Sequence, residues 1–298
     1  MSFSMLGSSR CEFLVRNSHQ RTVKFHSFDE REKKLVFRFS KSRCDPARAL
    51  LRKHEAIEFE ERTSPVEVRT EIAKCYELIS RLGRGVVYLG SSRMGPDHAH
   101  YQEAFELSRE ISELLDCTTW SGVGPGLMDA VTKGALQAGN PVGGFKIGRE
   151  SGEWTSSKFH PYLPSESYFT CRFFSARKHG LVDAGVRSCS SDRTAFVTLP
   201  GGIGTFDEVF EILALIQLRR IGSELPVPFL LMNYDSFYSK LLEFFDDCEN
   251  WGTLAKGEVD SLWKVCDNNA EALAYLASFY NLSPHDRVKN EVGLGSTH

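Results

Sequence analysis

Leu199-Pro200-Gly201-Gly202-Ile203-Gly204-Thr205-Phe206-Asp207-Glu208 is the stretch on which the reading of the whole chain turns. Ala195-Phe196-Val197-Thr198 before it has the apolar, β-branched character of a buried strand, and Val209–Leu218 after it has the apolar face of a helix. The stretch is therefore a strand, a glycine turn and a helix N-terminus. Three glycines in four positions bring bare backbone close to a ligand, because no Cβ stands in the way. The free N–H groups and the dipole of the helix favour an anion there, most often a phosphate. Thr205 is placed to cap the helix or to bond that anion. Glu208 sits one turn in, near the mouth of the same site. A carboxylate beside an anion site is electrostatically costly, which points to a chemical role. The plainer alternative is a carboxylate that complements the helix dipole.

Outward from that turn the chain is regular from about residue 65. Helices are predicted over Val66–Leu82, Asp97–Asp116, Leu127–Gln137, Arg172–Val186, Ser236–Cys248 and Asn269–Tyr280. Strands are predicted at Val86–Leu89, Cys117–Trp120, Pro141–Ile147, Ser167–Phe169, Val227–Met232 and Trp263–Cys266. Strands alternating with helices at this spacing imply βαβ crossovers. The fold class is α/β, a Rossmann-like doubly wound parallel sheet with helices on both faces, plus an N-terminal extension. Ligands bind such sheets at strand C-termini, where strand order reverses. Three loops fall there: Gly90-Ser91-Ser92-Arg93, Gly122-Val123-Gly124-Pro125-Gly126 and Gly201–Thr205. They are expected to converge on one crevice.

Composition narrows the function. The 298 residues carry a formal charge of −3 and are 41% hydrophobic, which disfavours a general nucleic-acid or anionic-membrane binder. No apolar run reaches the roughly 18–20 residues of a membrane span. The eight cysteines include no Cys-x-x-Cys pair, and read as reduced, mostly buried thiols with neither a disulfide frame nor a zinc site. Residues 1–27 hold Arg10, Arg16, Arg21 and Lys24, with Ser2, Ser4, Ser8, Ser9 and Ser18 among their serines, against one acid, Glu12, which fits either an organelle transit peptide or a flexible tail of a cytoplasmic protein. The domain scheme is an extension at 1–64 with one or two helices, a catalytic domain at 65–282, and a disordered tail at 283–298.

The glycine loops match neither common nucleotide fingerprint. Gly122-x-Gly124-x-Gly126 departs from G-x-G-x-x-G, and no G-x-x-x-x-G-K-[ST] is present. Two phosphate-friendly loops without either fingerprint suggest a mononucleotide or a sugar phosphate. Arg177-Lys178, on a predicted inner helix after Phe173-Phe174, supplies a guanidinium suited to clamp a phosphate or stabilise a leaving group. A solvated helix face is the alternative for that pair.

With these residues in view, the chain resembles the Lonely Guy family of cytokinin-activating phosphoribohydrolases, long described as lysine decarboxylase-like. The family pattern P-G-G-x-G-T-x-x-E is matched by Pro200–Glu208, and an upstream Arg-Lys by Arg177-Lys178. Gly126-Leu127-Met128 and Gly90-Ser91-Ser92 match the two supporting loops. Gly124–Ala130, with Lys133-Gly134-Ala135, looks nearer the longer bacterial-type nucleotide nucleosidase branch. The resemblance implies a homodimer that hydrolyses a nucleoside 5′-monophosphate to free base and ribose 5-phosphate, with no cofactor and no metal. It implies a catalytic pair, Arg177 and Glu208. It also implies a substrate and phosphate site from Ser91, Ser92, Gly122, Gly124, Gly126, Met128, Lys178, Pro200, Gly201, Gly202, Gly204 and Thr205. Pyridoxal chemistry is not expected, since no lysine stands in a cofactor-binding context.

Three positions depart from the pattern. Val123 replaces a glycine and is expected to put a branched side chain near the ligand. Val186–Asp192 lengthens the segment between Arg177 and Pro200. Thr194 stands where an aspartate is common. A non-catalytic nucleotide sensor or carrier is the second reading, because fold alone does not settle turnover. A nicotinamide-dependent oxidoreductase is the third, disfavoured by the missing fingerprint.

Overall fold

The computed structural model describes Phe28–Asp29, Lys34–Leu35 and residues 64–147 and 159–282. The chain forms two units, Met1–Ala56 and Ile57–His298. In the first, β1 (Phe28–Asp29) and β2 (Lys34–Leu35) pair antiparallel, with Phe28 opposite Leu35. The one or two helices expected between 28 and 64 lie outside the described residues. The 1–27 segment and the 283–298 tail lie outside the described residues, as does most of 28–64.

The second unit runs α1 (Pro65–Leu82), β3 (Gly85–Leu89), α2 (Ala99–Leu115), β4 (Thr118–Ser121), α3 (Leu127–Gln137), β5 (Val142–Ile147), β6 (Tyr168–Cys171), α4 (Phe174–Gly185), β7 (Ala195–Thr198), α5 (Ile203–Gln217), β8 (Phe229–Met232), α6 (Ser239–Asn250), β9 (Lys264–Cys266) and α7 (Asn269–Phe279). The seven strands form one sheet in the order β6-β5-β4-β3-β7-β8-β9, and every pairing is parallel. From β3 the chain winds outward through β4, β5 and β6. It then returns to lay β7 on the other side of β3. The order reverses between β3 and β7, which fixes the ligand crevice beyond their C-terminal ends.

Strand alternation builds a core on each side. Val87, Leu89, Phe196 and Phe229 face Cys75, Leu78 and Ile79 of α1, Leu181 and Ala184 of α4, and Val209 and Ile212 of α5. Val86, Tyr88, Ala195 and Val197 face Leu107, Ile111 and Leu115 of α2, Ala130 and Val131 of α3, and Leu276 of α7. Because both sheet faces are covered, β3 and β7 are buried at every position, giving the unbroken apolar runs seen in the sequence. Each large side chain sealed here contributes about 1.5–3 kcal/mol of transfer free energy.

The insertion at 186–192 folds as a tight turn. The Asp192 carboxylate accepts hydrogen bonds from the Ser188 N–H and hydroxyl, both 2.7 Å, and from the Cys189 N–H at 3.0 Å. Burial works against that charge, but these bonds hold the Asp192 pKa down to about 2. The turn leads into the N-terminal end of β7, the edge of the sheet opposite the crevice. Thr194 is at the same edge, its N–H donating to the Tyr280 hydroxyl at 2.9 Å.

Candidate active site

The three predicted loops meet at the C-terminal edge, and Ser91 is the knot. Its N–H donates to the Pro200 carbonyl at 3.0 Å, and its own carbonyl accepts from the Leu127 N–H at 2.8 Å. Leu199 N–H donates to Leu89 O at 2.8 Å, continuing the β3–β7 ladder into the turn. The Tyr238 hydroxyl, arriving from beyond β8, donates to the Leu199 carbonyl at 2.7 Å. The Pro200 turn is thus pinned from two sides by backbone and once by a side chain. Ser91 Oγ accepts the Arg93 N–H at 3.1 Å, closing a small turn within Gly90–Arg93.

Helix α5 begins at Ile203, six residues before the apolar run that marked it in the sequence. Glycine at 202 and 204 masked the start, being the poorest helix former after proline. This corrects the capping role drawn for Thr205. It lies in the third position of the helix, Gly202 is the N-cap, and no side chain caps this terminus. Thr205 is buried, packed where a Gly201 side chain would stand: a Cβ there would meet Thr205 Oγ1 at 2.1 Å. A Cβ on Gly202 or Gly204 would meet nothing within 4 Å. Ile203, Gly204 and Thr205 precede the first intrahelical bond, from the Phe206 N–H to the Gly202 carbonyl at 3.0 Å. Their N–H groups are therefore the free donors of the helix start.

Glu208 lies in the second turn of α5 and is 8% exposed. Arg177 comes from the first turn of α4 and is 7% exposed. Arg177 Nη1 donates to Glu208 Oε1 at 2.8 Å, and Nε donates to the Phe145 carbonyl of β5, 3.1 Å away. The guanidinium lies where Gly122 has no side chain: a Cβ there would stand 2.3 Å from Arg177 Nη2 and 2.7 Å from Met128 Sδ. The carboxylate that looked out of place near an anion is balanced by this cation. Two desolvated charges are retained because each is the other's partner, and removing one member of such a pair costs about 3–5 kcal/mol.

Lys178, next in sequence, points elsewhere. Its Nζ lies 2.8 Å from Asp207 Oδ2 and 2.8 Å from Glu211 Oε2, so it staples α4 to α5. Burial acts against its charge, but the two carboxylates outweigh it and raise its pKa. Both cations lie near the half-exposed Phe174 ring, Arg177 Cζ at 5.8 Å and Lys178 Nζ at 5.7 Å from its centre.

A family model described as "Possible lysine decarboxylase" matches residues 128–276, half of the chain, from Met128 through α7. The chain belongs to that family. Among curated relatives, it is 28% identical over 176 residues to the cytokinin riboside 5′-monophosphate phosphoribohydrolase LOG2 of Arabidopsis thaliana, covering 59% of this chain and 74% of that protein. It is 30% identical over 171 residues to the probable cytokinin riboside 5′-monophosphate phosphoribohydrolase LOGL6 of Oryza sativa subsp. japonica, covering 57% of this chain and 60% of that one. Among solved structures, the molybdenum cofactor carrier protein of Chlamydomonas reinhardtii aligns with a TM-score of 0.44 at 18% identity, over 67% of this chain and 99% of its own. Family membership places Met128, Arg177, Lys178 and Pro200–Glu208 inside the matched segment. Ser91, Ser92, Gly122, Gly124 and Gly126 precede it.

Val123, the departure in this family member's Gly122–Gly126 loop, behaves differently from the expectation. Its φ is +42°, a conformation that a β-branched residue rarely adopts. Its side chain is fully buried with Ala135, Val142, Leu163 and Tyr168, and fills the space left by Gly144. It turns into the protein.

Two features of the site escaped the sequence reading. Besides Tyr238, a polar cluster surrounds Asp129 in the first turn of α3. The Tyr101 and Tyr162 hydroxyls both donate to its carboxylate, and Lys133 Nζ donates at 2.8 Å. Tyr162 thereby anchors the segment leading into β6. The i,i+4 spacing of Asp129 and Lys133 was visible in the sequence; the tyrosines, 28 and 33 residues from Asp129, were not.

Proposed function

We propose that the protein hydrolyses the N-glycosidic bond of a nucleoside 5′-monophosphate, a cytokinin riboside 5′-monophosphate or a related purine nucleotide, giving the free base and ribose 5-phosphate. The observation that carries this reading is the buried Arg177–Glu208 pair, whose carboxylate belongs to the helix that starts at the uncovered glycines 202 and 204. The phosphate rests on the N–H groups of Ile203, Gly204 and Thr205, with Gly202 and Gly204 admitting it to the backbone. Ribose then extends toward Glu208. Breaking C1′–N leaves positive charge on the ribose, and a preorganised carboxylate stabilises it or orients the attacking water, as in glycosidases. Water supplies the hydroxyl to C1′. The base keeps the bonding pair and takes up a proton. Arg177 fixes Glu208 and lies on the side from which the base departs, with the half-exposed Phe174 ring beside it as a stacking surface. The relatives' names, which specify phosphoribohydrolases acting on cytokinin riboside 5′-monophosphates, support the same reaction.

The test is ribose 5-phosphate release from AMP, GMP, CMP, UMP and isopentenyladenosine monophosphate, each compared with its unphosphorylated nucleoside. The proposal expects turnover of at least one purine monophosphate and none of the nucleosides. Binding of monophosphates without release of base would replace it with the sensor or carrier reading.

We also infer that two copies associate through α5. Ile203 is 88% and Leu218 66% exposed, with Phe210 also exposed, while Val209, Ile212 and Leu213 face the core. A helix apolar on both sides is covered on both sides. Sedimentation equilibrium reads the mass directly, and a monomer at micromolar concentration would remove the inference. Among the described residues, no helix is long and apolar enough to cross a membrane. A fusion of residues 1–27 to a fluorescent protein distinguishes cytoplasm from plastid.

A further inference from the structure

The β6–α4 corner places Arg177, and the corner is held from outside the matched family segment, by α1. Helix α4 starts at Phe174 with Phe173 as N-cap, no capping side chain of its own and no acid in its first turn. A helix start of this kind leaves its leading N–H groups without partners and carries a partial positive charge. The half-buried Glu71 brings a carboxylate to this end from α1. Its carboxylate accepts the Arg172 N–H, at 3.0 Å on Oε2 and 3.2 Å on Oε1, and the Phe173 N–H at 3.1 Å on Oε2. One turn before it, Glu67 Oε2 lies 2.6 Å from Arg172 Nη1. One turn after it, Cys75 Sγ donates to the Ala176 carbonyl at 3.6 Å and lies 3.9 Å from Cys171 Sγ. Residues 67, 71 and 75 share one face of α1 at i, i+4, i+8 spacing and hold four positions of the corner, Cys171, Arg172, Phe173 and Ala176.

We propose that Glu71 is a positioning residue for the Arg177–Glu208 pair. Arg177 follows Phe173 by one helical turn, and the Arg177 N–H itself donates to the Phe173 carbonyl at 3.3 Å. A shift of the α4 start therefore moves Arg177 as a unit against three fixed neighbours: Phe145 O, Glu208 and the bare face of Gly122. Misplacement of a catalytic group by about 1 Å is enough to cost roughly 10²-fold in rate. This inference rests on the proposed reaction for its kinetic consequence, but not for its structural one.

The experiment compares wild type with Glu71→Ala and Glu71→Gln. The first readout is hydrogen exchange at the Arg172 and Phe173 amides and at Arg177 Nε–H, observed by 15N NMR, which needs no turnover. The second is kcat and KM on whichever monophosphate the panel identifies. The expected result is faster exchange at all three sites in Glu71→Ala, with kcat reduced about tenfold to a hundredfold and KM changed less than about threefold. Glu71→Gln, whose amide oxygen still accepts both N–H groups, recovers most of the protection and rate. Unchanged Arg177 Nε–H exchange in a folded Glu71→Ala protein overturns the proposal, as does lost rate that Glu71→Gln fails to restore. If Glu71→Ala does not fold, Glu71→Gln against Glu71→Asp, one methylene shorter, carries the same comparison. If wild type turns nothing over, the reaction reading fails while the exchange data still decide Glu71.

Discussion

The two glycine loops that frame the crevice use glycine for opposite purposes. In Gly122–Gly126, space around the backbone is already taken by the protein. A side chain at 122 would strike Arg177 and Met128, and one at 126 would stand 2.3 Å from the Ser91 carbonyl, at a φ of +72°. In Gly201–Gly204, glycines 202 and 204 face emptiness, in backbone conformations with negative φ or none of the strain reserved for glycine. One loop is glycine-rich so that the site can be assembled tightly. In the other, Gly201 makes room for Thr205, and Gly202 and Gly204 leave the backbone uncovered. A glycine motif therefore has two readings, and what a Cβ would touch tells them apart.

That contrast is easiest to break with Gly126→Ala. Strain at positive φ and collision with the Ser91 and Ser92 backbone together predict a loss of roughly 3 kcal/mol or more, or no soluble protein. An unchanged denaturation midpoint would show that the first loop is not packed as described. Gly202→Ala sharpens the other half. It should change stability by no more than about 1 kcal/mol, since only an N-cap preference is altered. Affinity for a nucleoside monophosphate should fall at least about tenfold, measured by calorimetry, because the added methyl occupies the ligand's approach. Equal affinity would mean that the phosphate does not use this turn.

The smallest predicted effect lies in the segment behind the first loop. His160 is buried against Tyr162 and Tyr168, and burial drives its pKa down to about 4; Asp129 opposes the shift and Lys146 adds to it. Its folded value is below its unfolded value of about 6.5. Between these values the unfolded chain binds a proton that the folded chain refuses. His160 therefore favours folding fully above about pH 6.5, and that advantage is lost as pH falls toward 4. His160→Gln should flatten the stability profile over that window and leave it unchanged above pH 7. A slope that persists in the variant belongs to other groups.

The fold was legible because a parallel sheet covered on both faces writes each strand as an apolar run, and Val86–Leu89 and Ala195–Thr198 are such runs. The convergence of three loops followed from strand order, and Ser91 bears it out with one donated and one accepted bond. What stayed hidden was direction and distance. The sequence showed that Val123 is branched, but not that its side chain turns inward toward Gly144. It showed Arg177 and Lys178 side by side, but successive helix residues point about 100° apart, so one met Glu208 and the other met Asp207 and Glu211. Glu71 gave no local signal, because the amides it holds are 101 and 102 residues away.

The claim that the Arg177–Glu208 pair is the chemical centre is tested most directly by the rate of ribose 5-phosphate release from wild type and Glu208→Gln on the same monophosphate. Glutamine keeps an oxygen for Arg177 Nη1 and removes only the charge. The predicted result is a fall of about 10²–10³-fold in rate with the monophosphate still bound, since a charge aimed at the transition state is lost while the phosphate turn is intact. Equal rates in the two proteins would contradict the account.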